Sequence, residues 1–195
     1  TPNTSSAASD VYKRQSGLSA LEEIGGDLVI EDNPDLEELE GLEALDVVGG
    51  EVVIRYNDNL LEITGLNELD AASSLRIYRN EILTSIDGLT ELGELQEELE
   101  ISYNDGLVLI DGLTGLRGVG AVSLIDNPSL FDFDGLAGLR TVAGDVLIER
   151  NDALSDLDGF AELISIGGEL YIYDNPSLTS IGELSSLTTI DGSLE

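Results

Sequence analysis

An asparagine recurs along this chain at a spacing that few folds can use. It stands at Asn33, Asn57, Asn80, Asn104, Asn127, Asn151 and Asn175, at intervals of 23 or 24 residues. Aligned on it, the segments superimpose. GLSALEEIGGDLVIEDNPDLEELE (17–40), GLEALDVVGGEVVIRYNDNLLEIT (41–64) and GFAELISIGGELYIYDNPSLTSIG (159–182) share one frame, G-L-x-x-L-x-x-I-G-G-x-L-x-I-x-x-N-P-x-L-x-x-L-x. Seven copies in register imply stacked units, because one such unit cannot bury its own apolar face.

Within each copy the segment before the asparagine alternates. Leu28 and Ile30 fall on one side, Val29 and Glu31 on the other, which is strand periodicity. A strand repeated once per copy, always with the same connection, gives a parallel sheet with neighbours about 4.8 Å apart. The Gly-Gly pairs (Gly25 and Gly26, Gly49 and Gly50, Gly167 and Gly168) suit a corner where side chains would clash. Copies three and five are one residue shorter near that corner. The interior positions in copy one are Leu18, Leu21, Ile24, Leu28, Ile30, Leu36 and Leu39. The expected fold is therefore mainly β, a parallel β-solenoid of about seven coils of 23–24 residues each. The seven asparagines read as architecture: a buried amide after each strand, bonding its own and neighbouring coils into a ladder.

Residues 1–16 fall outside the frame. They are expected to be a disordered or artefactual leader, with DVYKRQ resembling adapter sequence read as protein. Tyr12, Lys13 and Arg14 then carry no function. Residues 17–195 form the single repeat domain. An eighth copy opens at Glu183 and reaches Glu195 as its strand begins. The expectation is a fragment of a longer protein, starting at Thr1 without a visible signal peptide and truncated at its C-terminus. Self-association through an uncapped end is a further expectation.

Composition narrows the chemistry. There is no Cys and no His, which removes disulfides, thiolate sites, the usual general base and the usual transition-metal ligand. No cofactor or metal is expected. Calcium is the most plausible ion, given Asp32, Asp126 and Asp174 beside Asn-Pro, but no calcium-loop motif is present. No pair of carboxylates has a neighbourhood that marks a catalytic acid. Forty acidic against eight basic residues give a net charge of −32, which repels nucleic acid and anionic membranes. No apolar run approaches the roughly 20 residues of a membrane helix.

The outward columns carry the remaining information. The residue after the first strand leucine reads Val29, Val53, Arg76, Glu100, Ser123, Leu147, Tyr171. The residue after the strand isoleucine reads Glu31, Arg55, Tyr78, Ser102, Ile125, Glu149, Tyr173, and the next reads Asp32, Tyr56, Arg79, Tyr103, Asp126, Arg150, Asp174. All five tyrosines beyond the leader fall in these columns, as do four of the six arginines. Tyr and Arg are the residues enriched at binding hot spots. The densest patch is Arg55, Tyr56, Arg76, Tyr78, Arg79 and Tyr103, and a smaller one is Tyr171 with Tyr173. The columns also pair Arg55 with Glu31 and Arg76 with Glu100. They set Arg79 between Tyr56 and Tyr103, and Arg150 between Asp126 and Asp174. Sheet maintenance is thus the competing reading. The outward columns hold no Thr, which counts against ice or crystal-surface binding.

The strings IGGDLVIEDNPDL, IGGELYIYDNPSL and LSSLTTIDGSLE resemble the leucine-rich repeat superfamily, specifically the receptor L domain of insulin-receptor and EGF-receptor type ectodomains. The resemblance covers residues 17–195. It implies a right-handed solenoid whose parallel sheet is the working face. The cysteines of animal receptor L domains are missing here, so a microbial secreted or cell-surface relative is expected. The function expected from the whole is non-enzymatic recognition or adhesion, binding a protein or glycan through the sheet face. A structural spacer in a longer surface protein, without a ligand here, is the alternative.

Overall fold

The structure, a computed structural model, describes residues 18–195. The expected leader at 1–16 lies outside the described residues. The front of each coil is a strand: β1 (Leu28–Glu31), β2 (Glu51–Arg55), β3 (Ser74–Tyr78), β4 (Glu94–Ser102), β5 (Gly118–Ile125), β6 (Val146–Glu149) and β7 (Leu170–Tyr173). They pair in parallel in coil order, with Ile30, Ile54, Ile77, Ile101, Leu124, Ile148 and Ile172 in one register row. The fold is the mainly β solenoid that the repeat implies.

Two further runs of short strand flank the front. Short pieces such as Glu23–Ile24, Val47–Val48 and Thr141–Val142 line the side before the glycine corner. In coils four and five this side and the front are one continuous strand, β4 and β5. There the shorter copy is absorbed as a register shift between Val119 and Ala121. On the third side Glu62–Ile63, Ser85–Ile86 and Leu109–Ile110 pair in parallel. In later coils single 3-10 turns at Asp134–Leu136, Asp158–Phe160 and Leu184–Ser186 follow that side. The eighth copy is begun: Leu194 bridges to Leu170 of β7.

The Gly-Gly corner is explained by the coil beneath. A Cβ on Gly50 would sit 2.0 Å from the Asp27 carboxylate, which accepts a 3.0 Å bond from the Glu51 N–H. Gly168 makes the same room for Asp145, which accepts from the Glu169 N–H at 2.8 Å. The corner aspartate thus clips one coil to the next across the glycine.

The interior is one apolar column. Ile54, Leu75, Ile77, Leu99, Ile101 and Leu124 are fully buried, and burial at about 25 cal/mol per Å² of apolar surface drives the stacking. Copy one departs from expectation. Leu21, Ile24, Leu28, Ile30 and Leu36 are only partly buried, and Leu18 is 53% exposed. They belong to the end coil among the described residues, covered on one side alone. Leu39 is buried as expected.

The asparagine ladder is present. Asn57, Asn80, Asn104, Asn127 and Asn151 have no exposed surface. The Asn104 amide donates to Ile77 O of the preceding coil at 3.0 Å, and its Oδ1 accepts the Asn80 backbone N–H at 3.1 Å. Asn33 and Asn175 extend the same pattern at the two ends, with Asn33 N–H bonding Asn57 Oδ1 and Asn175 Nδ2 bonding Ile148 O. Every buried amide therefore has partners on both sides, as burial of a polar group requires.

Candidate binding face

A corner that the alternation did not foresee sets the geometry of the front. Simple alternation makes the residue after Arg55 point inward and Asn57 outward. The opposite holds, because Asp32, Tyr56, Arg79, Tyr103, Asp126, Arg150 and Asp174 all adopt left-handed backbone, with φ between 53° and 57°. That single step shifts the phase by one residue. It turns the asparagine into the core and its predecessor to solvent. The third column is thus outward as expected, but at the corner beyond the strand, not on it. The strands end at Glu31, Arg55, Tyr78 and Ser102.

Left-handed backbone is tolerated by Asp, Asn and Gly and is uncommon for bulkier residues. Coils one, five and seven use Asp at this corner; coils two, three and four use Tyr56, Arg79 and Tyr103, and coil six uses Arg150. Three adjacent coils therefore carry a conformational cost of order 1 kcal/mol each.

The patch is contiguous. The Arg79 guanidinium lies 5.8 Å from the Tyr56 ring and 5.0 Å from the Tyr103 ring. Tyr56 meets Tyr78 edge to face at 6.1 Å. Arg55 lies 5.6 Å from the Tyr78 ring and donates to its hydroxyl, and Arg76 lies 5.6 Å from the same ring. In the same face Val53, an outward position, is only 7% exposed. Tyr171 and Tyr173 stack at 5.9 Å as a separate pair, three coils beyond Tyr103, or about 14 Å at 4.8 Å per coil.

Most of the arginines are neutralised. Arg55 pairs with Glu31 and Arg76 with Glu100 at 2.7 Å. Arg150 grips Asp126 with two bonds of 2.8 Å and also pairs with Glu149. Among the described residues Asp174 takes no ion pair, so the expected Asp126–Arg150–Asp174 sandwich is corrected to an Asp126–Arg150–Glu149 cluster. The basicity of Arg55 is raised by the Tyr78 hydroxyl and then by Glu31, that of Arg76 by Glu100, and that of Arg150 by Asp126.

Arg79 differs. Among the described residues no carboxylate lies within ion-pair distance of it, and its guanidinium makes no hydrogen bond. It faces a recess of about 280 Å³ lined by Tyr56, Arg79 and Tyr103 of the corner column and by Asp58, Glu81 and Asp105 of the column after the asparagine. The acidic column was missed in the sequence. Its signal was available: the column after the asparagine reads Pro34, Asp58, Glu81, Asp105, Pro128, Asp152, Pro176, acidic where the neighbouring column is aromatic or cationic.

Among the described residues no group of three or more carboxylates is arranged to hold a metal ion, and no helix is long and apolar enough to cross a membrane. Comparison with protein-family models, curated proteins and solved structures finds no match in any of the three.

Proposed function

We propose that this solenoid is a non-enzymatic recognition or adhesion module of an extracellular or cell-surface protein. On this reading it is a relative of the leucine-rich-repeat receptor L domains. It engages a protein or glycan through the front face at Arg55, Tyr56, Arg76, Tyr78, Arg79 and Tyr103, with Tyr171 and Tyr173 as an outlying contact. The observation that carries the reading is the Tyr56–Arg79–Tyr103 corner. It sets bulky side chains of three adjacent coils in a backbone conformation that coils one, five and seven give to Asp, and it leaves the central cation without a carboxylate. Neither feature helps the sheet. Both suit a surface that offers rigid aromatic area and unused donors.

The spacer reading draws support from Arg55, Arg76 and Arg150, whose charges are taken up by carboxylates of an adjacent coil. An array of extracellular proteins and glycans separates the two. It is probed with the native chain and with an Arg76→Ala/Tyr78→Ala/Arg79→Ala variant shown by circular dichroism to be folded. The expected result is capture by the native chain and at least a tenfold loss in the variant. Equal capture by both, or none by either, overturns the recognition reading and leaves a spacer.

A further inference from the structure

We infer that the recess lined by these two columns holds one unit of a neutral, chain-forming glycan, an inference that rests on the recognition reading above. The charges in the recess argue for it. A cationic ligand that reached Asp58, Glu81 and Asp105 would meet Arg79. An anionic ligand drawn to Arg79 would meet three carboxylates, within the field of a molecule carrying −32. A neutral polyol meets neither conflict. Its hydroxyls donate to the carboxylates and accept from the guanidinium N–H groups, which are otherwise unused. Its C–H faces lie against the exposed parts of Tyr56 and Tyr103, which are 40% and 42% exposed.

Size and period point the same way. The recess of about 280 Å³ lies just below the range of drug-sized ligand pockets, roughly 300–1,000 Å³, and matches one sugar ring better than a folded partner. The lining comes from three successive coils: Tyr56 with Asp58, Arg79 with Glu81, Tyr103 with Asp105. The two columns run on along the stack at about 4.8 Å per coil, so a polymer with one unit in the recess meets further coils with its flanking units. A folded protein partner has no such period.

The test uses the chain as it stands, with neutral disaccharides and hexasaccharides of glucose, galactose, mannose and N-acetylglucosamine as probes. Poly-lysine, polygalacturonate and the array of extracellular proteins serve as comparators. Binding is read by NMR shifts of the Tyr ring and Arg Nε–H signals. The expected result is that at least one hexasaccharide moves Tyr56, Arg79 and Tyr103 and binds at least fivefold tighter than its disaccharide. Its affinity changes less than twofold between low and high NaCl, since the ligand is uncharged. It falls at least tenfold in Arg79→Ala and in Asp58→Asn/Asp105→Asn. Binding by a protein or charged polymer at these residues, with no hexasaccharide bound, overturns the glycan inference and leaves the recognition face standing. Silence from every probe overturns both.

Discussion

Asn104 and Tyr103 are chain neighbours with opposite duties. Asn104 is wholly buried, and its amide serves the coil on either side. Asn104→Ala strands the buried Asn80 N–H, at about 1–3 kcal/mol, and removes the amide's bonds to Ile77 O and Asn127 Oδ1. Urea unfolding should therefore show a loss of about 2–5 kcal/mol. Asn33→Ala, in the exposed end coil, should lose distinctly less. Equal losses at the two sites would mean that the ladder does not stabilise through burial. Tyr103 stabilises little in comparison. Its left-handed corner opposes folding while its contact with Arg79 favours it by about 0.5–1 kcal/mol. The ladder could be read from seven identical letters at one spacing. The corner could not, because Tyr and Arg are not left-handed signals. Only Asp32, Asp126 and Asp174 in the same column hinted at it.

Among elements, the front strands were readable and the third side was not. L-x-I carries a two-residue period, whereas pairs such as Glu62–Ile63 and Ser85–Ile86 are too short to show one. That third side leads into a row of like charges, Asp87, Asp111, Asp134 and Asp158, one per coil. Desolvation by the stack, then Asp132 and Asp87, push the Asp111 carboxyl upward. Desolvation, then Asp132, Asp158 and Asp156, do the same for Asp134. A carboxyl raised in the folded state binds protons more readily there than in the unfolded chain. Its contribution is fully present below the ordinary value of 3.8 and is lost as pH rises through the raised one. Tm should therefore be higher near about pH 4 than near about pH 7. Asp111→Asn/Asp134→Asn should raise Tm at neutral pH and narrow that difference. An unchanged difference in the variant would remove this row as its source.

At the scale of the molecule the coils form a frame whose stability is summed from neighbour to neighbour, under the self-repulsion of a net charge of −32. Screening shortens the reach of that repulsion from about 10 Å at 0.1 M salt to about 3 Å at 1 M. Tm should climb with NaCl over that range. A fall would mean that ion pairs such as Arg76–Glu100 outweigh the repulsion. Labour is divided in the proposed reading: the amide ladder and apolar column hold the frame, and the frame carries the Tyr56–Arg79–Tyr103 corner for recognition. The unfolding free energy of Arg79→Asn/Tyr103→Asn tests this without knowledge of any ligand. Asn accepts the left-handed corner, so relief of about 1 kcal/mol at each site should offset two lost cation–π contacts of about 0.5–1 kcal/mol each. The variant should lie within about 1 kcal/mol of the native chain, or be more stable than it. A loss of about 3 kcal/mol or more would contradict that division, and would make the corner part of the frame.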